Sequence, residues 1–250
     1  VRLWRPDWYS HRLFHPDERW LFDKTAELHL WAEPGKTDAA GMQYGSLPLY
    51  VVSVVKDGLN AVTHMGAHPA SIVSGRSVTG VVDALTVVAT YLLALQLLGS
   101  GWALFAALLS ACAPLHIQLS HFFTVDPWLA CFATFALAAS LRWTRKPSLA
   151  LSAGIGVLYA AALASKSSGL PLLAPIVLAH VWPIFSPGLT LKERAQRRQL
   201  AWQGLAVAAG ATLAAFFVFM PWAFLDFHKF YANQTAQQDI LVKGSPGGVP

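Results

Sequence analysis

Charge is what this sequence has least of. Only 12% of its 250 residues are Asp, Glu, Lys or Arg, against about 25% in an ordinary soluble domain. Cysteine is almost absent. Cys112 and Cys131 both lie in apolar runs and read as small buried hydrophobes, so neither a disulfide framework nor a zinc site follows from them. No zinc spacing and no phosphate-cradling glycine loop occurs. What fills the space is apolar: 55% hydrophobic residues, ten Trp and a mean hydropathy of +0.45. These values point to a polytopic membrane protein. The pI near 9.4 invites nucleic acid as a partner. The basic residues, however, cluster in short loops between apolar runs, which is the pattern of membrane orientation.

Residues 1–70 are mixed in polarity and read as an outer first loop. "DERWLFDKTAELHLWAE" has the pattern of an amphipathic helix. "YGSLPLYVVSVVKDGLNAV" reads as a second one, interrupted by Pro48 and able to lie on a membrane. Residues 71–226 form the expected transmembrane bundle, and 227–250 the start of a second outer loop. Six spans are expected, near 77–98, 102–118, 127–143, 148–164, 168–185 and 201–221, several close to the lower length limit for a crossing. Val1 in place of an initiator Met and the closing "KGSPGGVP" read as cut ends, so a longer parent protein is expected. The fold class is all-α: a helical membrane bundle with an amphipathic outer loop.

Orientation follows from the loops. "RWTRKP" carries a net +3 from Arg142, Arg145 and Lys146, and "SPGLTLKERAQRRQ" carries another +3. With six crossings, both fall on one side, which the positive-inside rule makes cytoplasmic. The first 70 residues carry a net −1 and fall on the other side. That side also receives Asp17, Glu18, Arg76, His121, Asp126, Lys166 and Asp226. Ionisable groups near a bilayer are costly and are usually paired or functional. Here both signs converge on one face from distant segments, as a site for a charged headgroup requires.

Each residue has a plainer explanation. In "LFHPDERWLFDKTAEL", Pro16 suits the first helical position, and Asp17 and Glu18 suit the positive end of a helix dipole. Asp126 before Pro127 suits an N-cap. Lys166 can snorkel to the headgroups. Arg76 can pair with Asp83 two turns along the same helix face. His121 suits a turn, and Asp226 the end of a span. Trp20, Trp31, Trp102, Trp128, Trp182 and Trp222 suit membrane interfaces.

"HPDE", the "GR" of Gly75–Arg76, "PLHIQLSHFFTVDPWLACF" and "ASKSSGLPLLAPI", in that order, resemble the membrane glycosyltransferases of the GT-C superfold. The resemblance is closest to the bacterial dolichyl-phosphate-mannose–protein mannosyltransferase group (glycosyltransferase family 39), and looser to the aminoarabinose transferase of lipid A. It covers essentially the whole chain. It implies a polyprenyl-phosphate sugar donor used on the periplasmic or extracellular face of the cell membrane. It implies catalytic carboxylates at Asp17, Glu18 and Asp126, with Asp17 the base, and donor-phosphate contacts at Arg76 and Lys166. His121 and Asp226 are secondary candidates. The first helix and the helices after Pro250 that such proteins carry are not seen.

The chemistry fits these residue types. A carboxylate takes the proton of the attacking hydroxyl. Preorganised cations stabilise the charge growing on the departing phosphate. One base and a good leaving group suggest inversion through an oxocarbenium-like transition state. No cofactor is required; a divalent cation between Asp17 and Asp126 is compatible with the residues, although no spacing demands one. The acceptor is a protein, lipid or glycan hydroxyl, with membrane lipids as surroundings and no nucleic acid. The competing reading is a transporter or flippase for a lipid-linked or anionic substrate. Transporters, however, keep their ionisable groups near the midplane, and only Asp83 is deep here.

Overall fold

The structure is a computed structural model, and it describes residues 2–3, 6, 15–28, 44–228, 230–232 and 235. These residues are almost entirely helical. Two amphipathic helices, α1 (Pro16–Glu27) and α2 (Ser46–Thr63), precede the long α3 (Ala67–Leu98). Then follow α4 (Ser100–Cys112), α5 (Pro114–Ser120), α6 (Asp126–Arg145), α7 (Leu149–Leu163), α8 (Leu173–Val181), α9 (Leu191–Phe219) and the single turn α10 (Trp222–Leu225). Short 3₁₀ segments flank α8 on both sides. Of the "DERWLFDKTAELHLWAE" reading, the part beyond Leu28 lies outside the described residues.

Among the described residues three segments are long and apolar enough to cross a membrane: α3, the 19-residue stretch Ser167–Phe185 around α8, and α9. The pair α4–α5, bent by 55° before Pro114, makes a fourth if taken as one span. Proline removes a donor and clashes with the preceding turn, so the bend falls where the sequence breaks the ladder. The 15-residue α7 is apolar but short. The α6 helix carries Asp126 at its start and Arg142 and Arg145 in its last turn. Large apolar side chains such as Leu98, Trp102, Leu108, Trp182 and Val218 stand exposed around the bundle. An apolar belt of this kind suits lipid, and helices satisfy their own backbone within it. The protein is an all-α polytopic membrane protein.

Several boundaries differ from the sequence reading. The α3 helix begins about ten residues before the expected span, with Pro69 in its first turn, where no donor is needed. For the same reason Pro48 does not interrupt α2. The basic stretch read as a loop is largely the start of α9. Thr190 caps it, with Glu193 closing a reciprocal capping box. Trp128 is not interfacial: it is buried, with its indole N–H directed at Thr79 Oγ1 at 3.3 Å. Cys131 is buried as expected, whereas Cys112 is exposed in the last turn of α4.

The chain reverses at each short turn, so the helices share two ends. At one end Arg145 donates to the Gln96 carbonyl, and Arg197 to the Pro183 carbonyl at 3.1 Å. The opposite end is covered by α1 and α2. There a core of Leu21, Phe22, Leu49, Val52, Ile72, Phe123 and Trp128 joins them to α3 and α6. Lys56 fixes the two amphipathic helices to each other. Its buried ammonium donates to the Thr25 and Leu28 carbonyls at 3.0 and 2.9 Å and pairs with Asp57 at 3.1 Å. It thus satisfies two carbonyls at the C-terminal end of α1, where Lys24 of the last turn is already a cation. Lys56→Met should cost about 1–3 kcal/mol, because two charge-assisted bonds are lost and two carbonyls are left buried. Faster hydrogen exchange confined to α1 and the first turns of α2 is the expected signature.

Candidate active site

The covered end is where the separated charges meet. The α1 helix starts with His15 as N-cap, whose Nδ1 accepts the Asp17 backbone N–H at 3.2 Å. Pro16 takes the first helical position, so Asp17 and Glu18 follow in the first turn without acting as the cap. Neighbours on a helix point about 100° apart, and the two carboxylates accordingly go to different places.

Glu18 turns inward and is fully buried. Its two oxygens accept from Arg76 Nε at 2.8 Å and Nη2 at 3.0 Å, a bidentate pair. Oε1 also accepts the Phe123 backbone N–H at 3.1 Å. One carboxylate therefore joins α1, α3 and the turn before α6. Arg76 is 1% exposed and lies against the Phe22 ring, 5.8 Å from its centroid. The packing allows this because Gly75 precedes it: a Cβ there would meet Phe123 and Phe22 at 2.8–2.9 Å. The expected Arg76–Asp83 pairing is not formed. Asp83 is instead held by Arg2 and by His116, whose Nδ1 is 2.7 Å from Oδ1.

Asp17 stays half-buried, and the Tyr44 hydroxyl donates to its carboxylate. Burial, this hydrogen bond and the nearby charges of Asp17 and Asp126 all push the Tyr44 phenol above its usual range, so it remains a neutral donor. Tyr44 thus has two of the three sequence-predicted acids, Asp17 and Asp126, around it. Asp126 is the first residue of α6 and makes no cap hydrogen bond; its carboxylate is spent on Lys166, 2.5 Å away. Both members of this pair are about a third or more exposed, at 33% for Lys166 and 41% for Asp126.

Gly45 sets this meeting. Its N–H donates to the Ser165 carbonyl at 3.1 Å, and two residues on the Leu47 N–H donates to the Ala164 carbonyl at 3.1 Å. A Cβ at position 45 would lie 1.8 Å from the Ala164 oxygen, so only glycine allows the approach. That contact brings the turn after Tyr44 against the Ala164–Ser165 turn that precedes Lys166. Ser46 Oγ, donating to the Phe219 carbonyl at 2.8 Å, ties the same turn to the end of α9.

The secondary candidates sit at the edge. His121 Nδ1 is 2.7 Å from the Ile117 carbonyl, the contact of a residue closing a helix. Asp226 ends α10, and its carbonyl accepts the Phe230 N–H at 3.0 Å. Among the described residues no three His, Cys, Asp or Glu gather closely enough to hold a metal ion. Tyr44 and Gly45 are the residues that sequence reasoning missed. A tyrosine–glycine step directly before a helix was the available signal.

At this end of the helical bundle three carboxylates, a lysine and a buried arginine come together. The model of the dolichyl-phosphate-mannose-protein mannosyltransferase family matches residues 65–224, and the chain belongs to that family. The match includes Arg76, His121, Asp126 and Lys166; Asp17, Glu18 and Tyr44 precede it, and Asp226 follows it. Comparisons with curated proteins and with solved structures gave no match. The family makes the protein a mannosyltransferase-like membrane enzyme using a polyprenyl-phosphate sugar, and gives no support to the transporter reading.

Proposed function

We propose that the protein transfers a sugar from a polyprenyl-phosphate donor to an acceptor hydroxyl, by single displacement with inversion, at the membrane face covered by α1 and α2. Asp17 is the general base. It takes the hydroxyl proton as the oxygen attacks the anomeric carbon, while the bond to the lipid phosphate breaks. Tyr44 holds the carboxylate in place and keeps its own proton. Lys166, still partly open beyond its pairing with Asp126, meets the phosphate and stabilises the charge it gains on leaving. Asp126 aims the ammonium. Arg76 and Glu18 act from beneath as a brace, because the guanidinium is almost inaccessible and two of its nitrogens are held by the carboxylate. This differs from the resemblance-based roles, which gave Arg76 a phosphate contact and Glu18 a place among the catalytic acids.

The observation that carries the reading is the position of Tyr44, bonded to Asp17 and within the field of Asp126. It joins a base candidate to the partly exposed Lys166–Asp126 pair. The cytoplasmic assignment of the basic loops supports an outward-facing site.

Lys166→Ala in the full-length protein tests the phosphate role. The donor KM should rise about tenfold or more, as expected when one charge-assisted phosphate contact is lost. The protein should still purify as a folded species. Unchanged donor affinity and turnover would leave Lys166 as an interfacial anchor only.

A further inference from the structure

A second concentration of charge lies at the other end of the bundle, and the transfer site does not use it. A cavity of about 500 Å³ opens between α3, α6 and α7. Its walls are apolar, with Leu92 and Leu95 of α3 facing Phe135 of α6 and Leu158 of α7. Its mouth carries Arg142, Arg145 and Lys146. Gln96 closes the charged end: its side-chain amide donates to the Ala138 carbonyl at 3.0 Å, and its backbone carbonyl accepts from Arg145. No ion pair among the described residues engages any of the three cations. A smaller cavity of about 110 Å³ alongside is lined by Arg145 and Arg197, so the positive potential continues onto the neighbouring turn.

We propose that this groove binds one anionic diacyl glycerophospholipid, with its phosphate at Arg142 and Lys146 and an acyl chain along the leucine wall. The groove has two faces of demand. A neutral lipid fills the slot and leaves three cations facing its headgroup without a counter-charge. A soluble anion meets the cations and leaves the slot to something else. A lipid with an anionic headgroup answers both. The volume falls within the roughly 300–1,000 Å³ of ligand-holding cavities. Basic pockets between helices at the cytoplasmic surface favour anionic headgroups for this electrostatic reason. The groove sits where α6 ends, at the level the basic loops assign to the headgroup layer. The proposal is independent of the sugar-transfer reading, because none of its residues belongs to that site.

The test uses the full-length protein exchanged into bilayers of phosphatidylcholine mixed with phosphatidylglycerol, with retained lipids counted by native mass spectrometry. Wild type should keep phosphatidylglycerol over phosphatidylcholine by about tenfold or more, as two to three favourably placed cations imply. The Arg142→Gln/Lys146→Gln variant should lose that preference. Ala139→Leu, which narrows the groove and leaves every charge in place, should lower phosphatidylglycerol retention as well. Equal retention of both lipids by wild type overturns the proposal, as does a preference that survives the charge variant. A preference lost with the charges but untouched by Ala139→Leu also overturns it, since that result describes loose attraction to the loop. Preferential displacement by polyprenyl phosphate would assign the groove to the donor and overturn it too. Both variants are first checked for monodispersity and donor transfer. If Ala139→Leu does not fold, Leu95→Phe occupies the same groove from the α3 side.

Discussion

Asp17→Asn should abolish sugar transfer in a protein that still folds and still binds its donor. Asn preserves size, and its amide oxygen still accepts from the Tyr44 hydroxyl. The cap of α1 is untouched, since His15 supplies it through the Asp17 backbone N–H and not the side chain. What is lost is the capacity to take a proton. Loss of a general base typically costs about 10²–10⁴ in rate. If the carboxylate served only the dipole of α1, the change would cost a few tenths of a kcal/mol in stability and little activity. Single-turnover transfer measured at saturating donor separates the two outcomes: a rate within about threefold of wild type would remove Asp17 from the chemistry, whereas a collapse in rate with unchanged donor affinity supports its role.

Removing one member of the Glu18–Arg76 pair should be the most destabilising change at this end of the molecule. Both side chains are essentially inaccessible, and the carboxylate also holds the Phe123 N–H. Arg76→Met leaves a buried carboxylate facing two lost donors, and the expected cost is about 3–5 kcal/mol. The damage should show as detachment of α1, read as accelerated hydrogen exchange over residues 16–28, together with loss of transfer. Adding Glu18→Leu to Arg76→Met should recover part of the stability, because no unpaired charge is then buried. It should not restore transfer fully, since the tie between α1 and the Phe123 turn is gone. A single Arg76→Met variant as stable as wild type would contradict the bracing role and return Arg76 to the list of donor contacts.

The short loops made the topology legible. With turns this brief, neighbouring helices must run antiparallel, so Asp126, Lys166 and the start of α3 fall at one end whatever the details of packing. That constraint brings Asp126 and Lys166 to one end, but their ion pair is visible only in the structure. The partners of Arg76 and Asp83 were hidden for the opposite reason. Seven residues apart on one helix, they suit each other locally, but Glu18 and Arg2 reach them from the N-terminal segment with better geometry. Competition of this kind, across 58 and 81 positions of sequence, has no local signal. Tyr44 depended on the approach of Gly45 to Ala164, again a contact between distant segments. The start of α9 does carry a local signal. Thr190 followed three residues later by Glu193 is a capping box in plain sequence, and the run of basic residues masked it.

The most direct measurement locates the donor. A polyprenyl-phosphate sugar bearing a photoreactive group next to its phosphate, cross-linked to the full-length protein in bilayers, should label the segments around Asp126 and Lys166 and the turn at Tyr44. Competition with unmodified donor should suppress that label, and Lys166→Ala should weaken it. Label recovered instead at the basic end, around Arg142 to Lys146, with the Tyr44, Asp126 and Lys166 segments unmodified, would contradict the assignment of this charged cluster as the place where the sugar leaves its lipid phosphate.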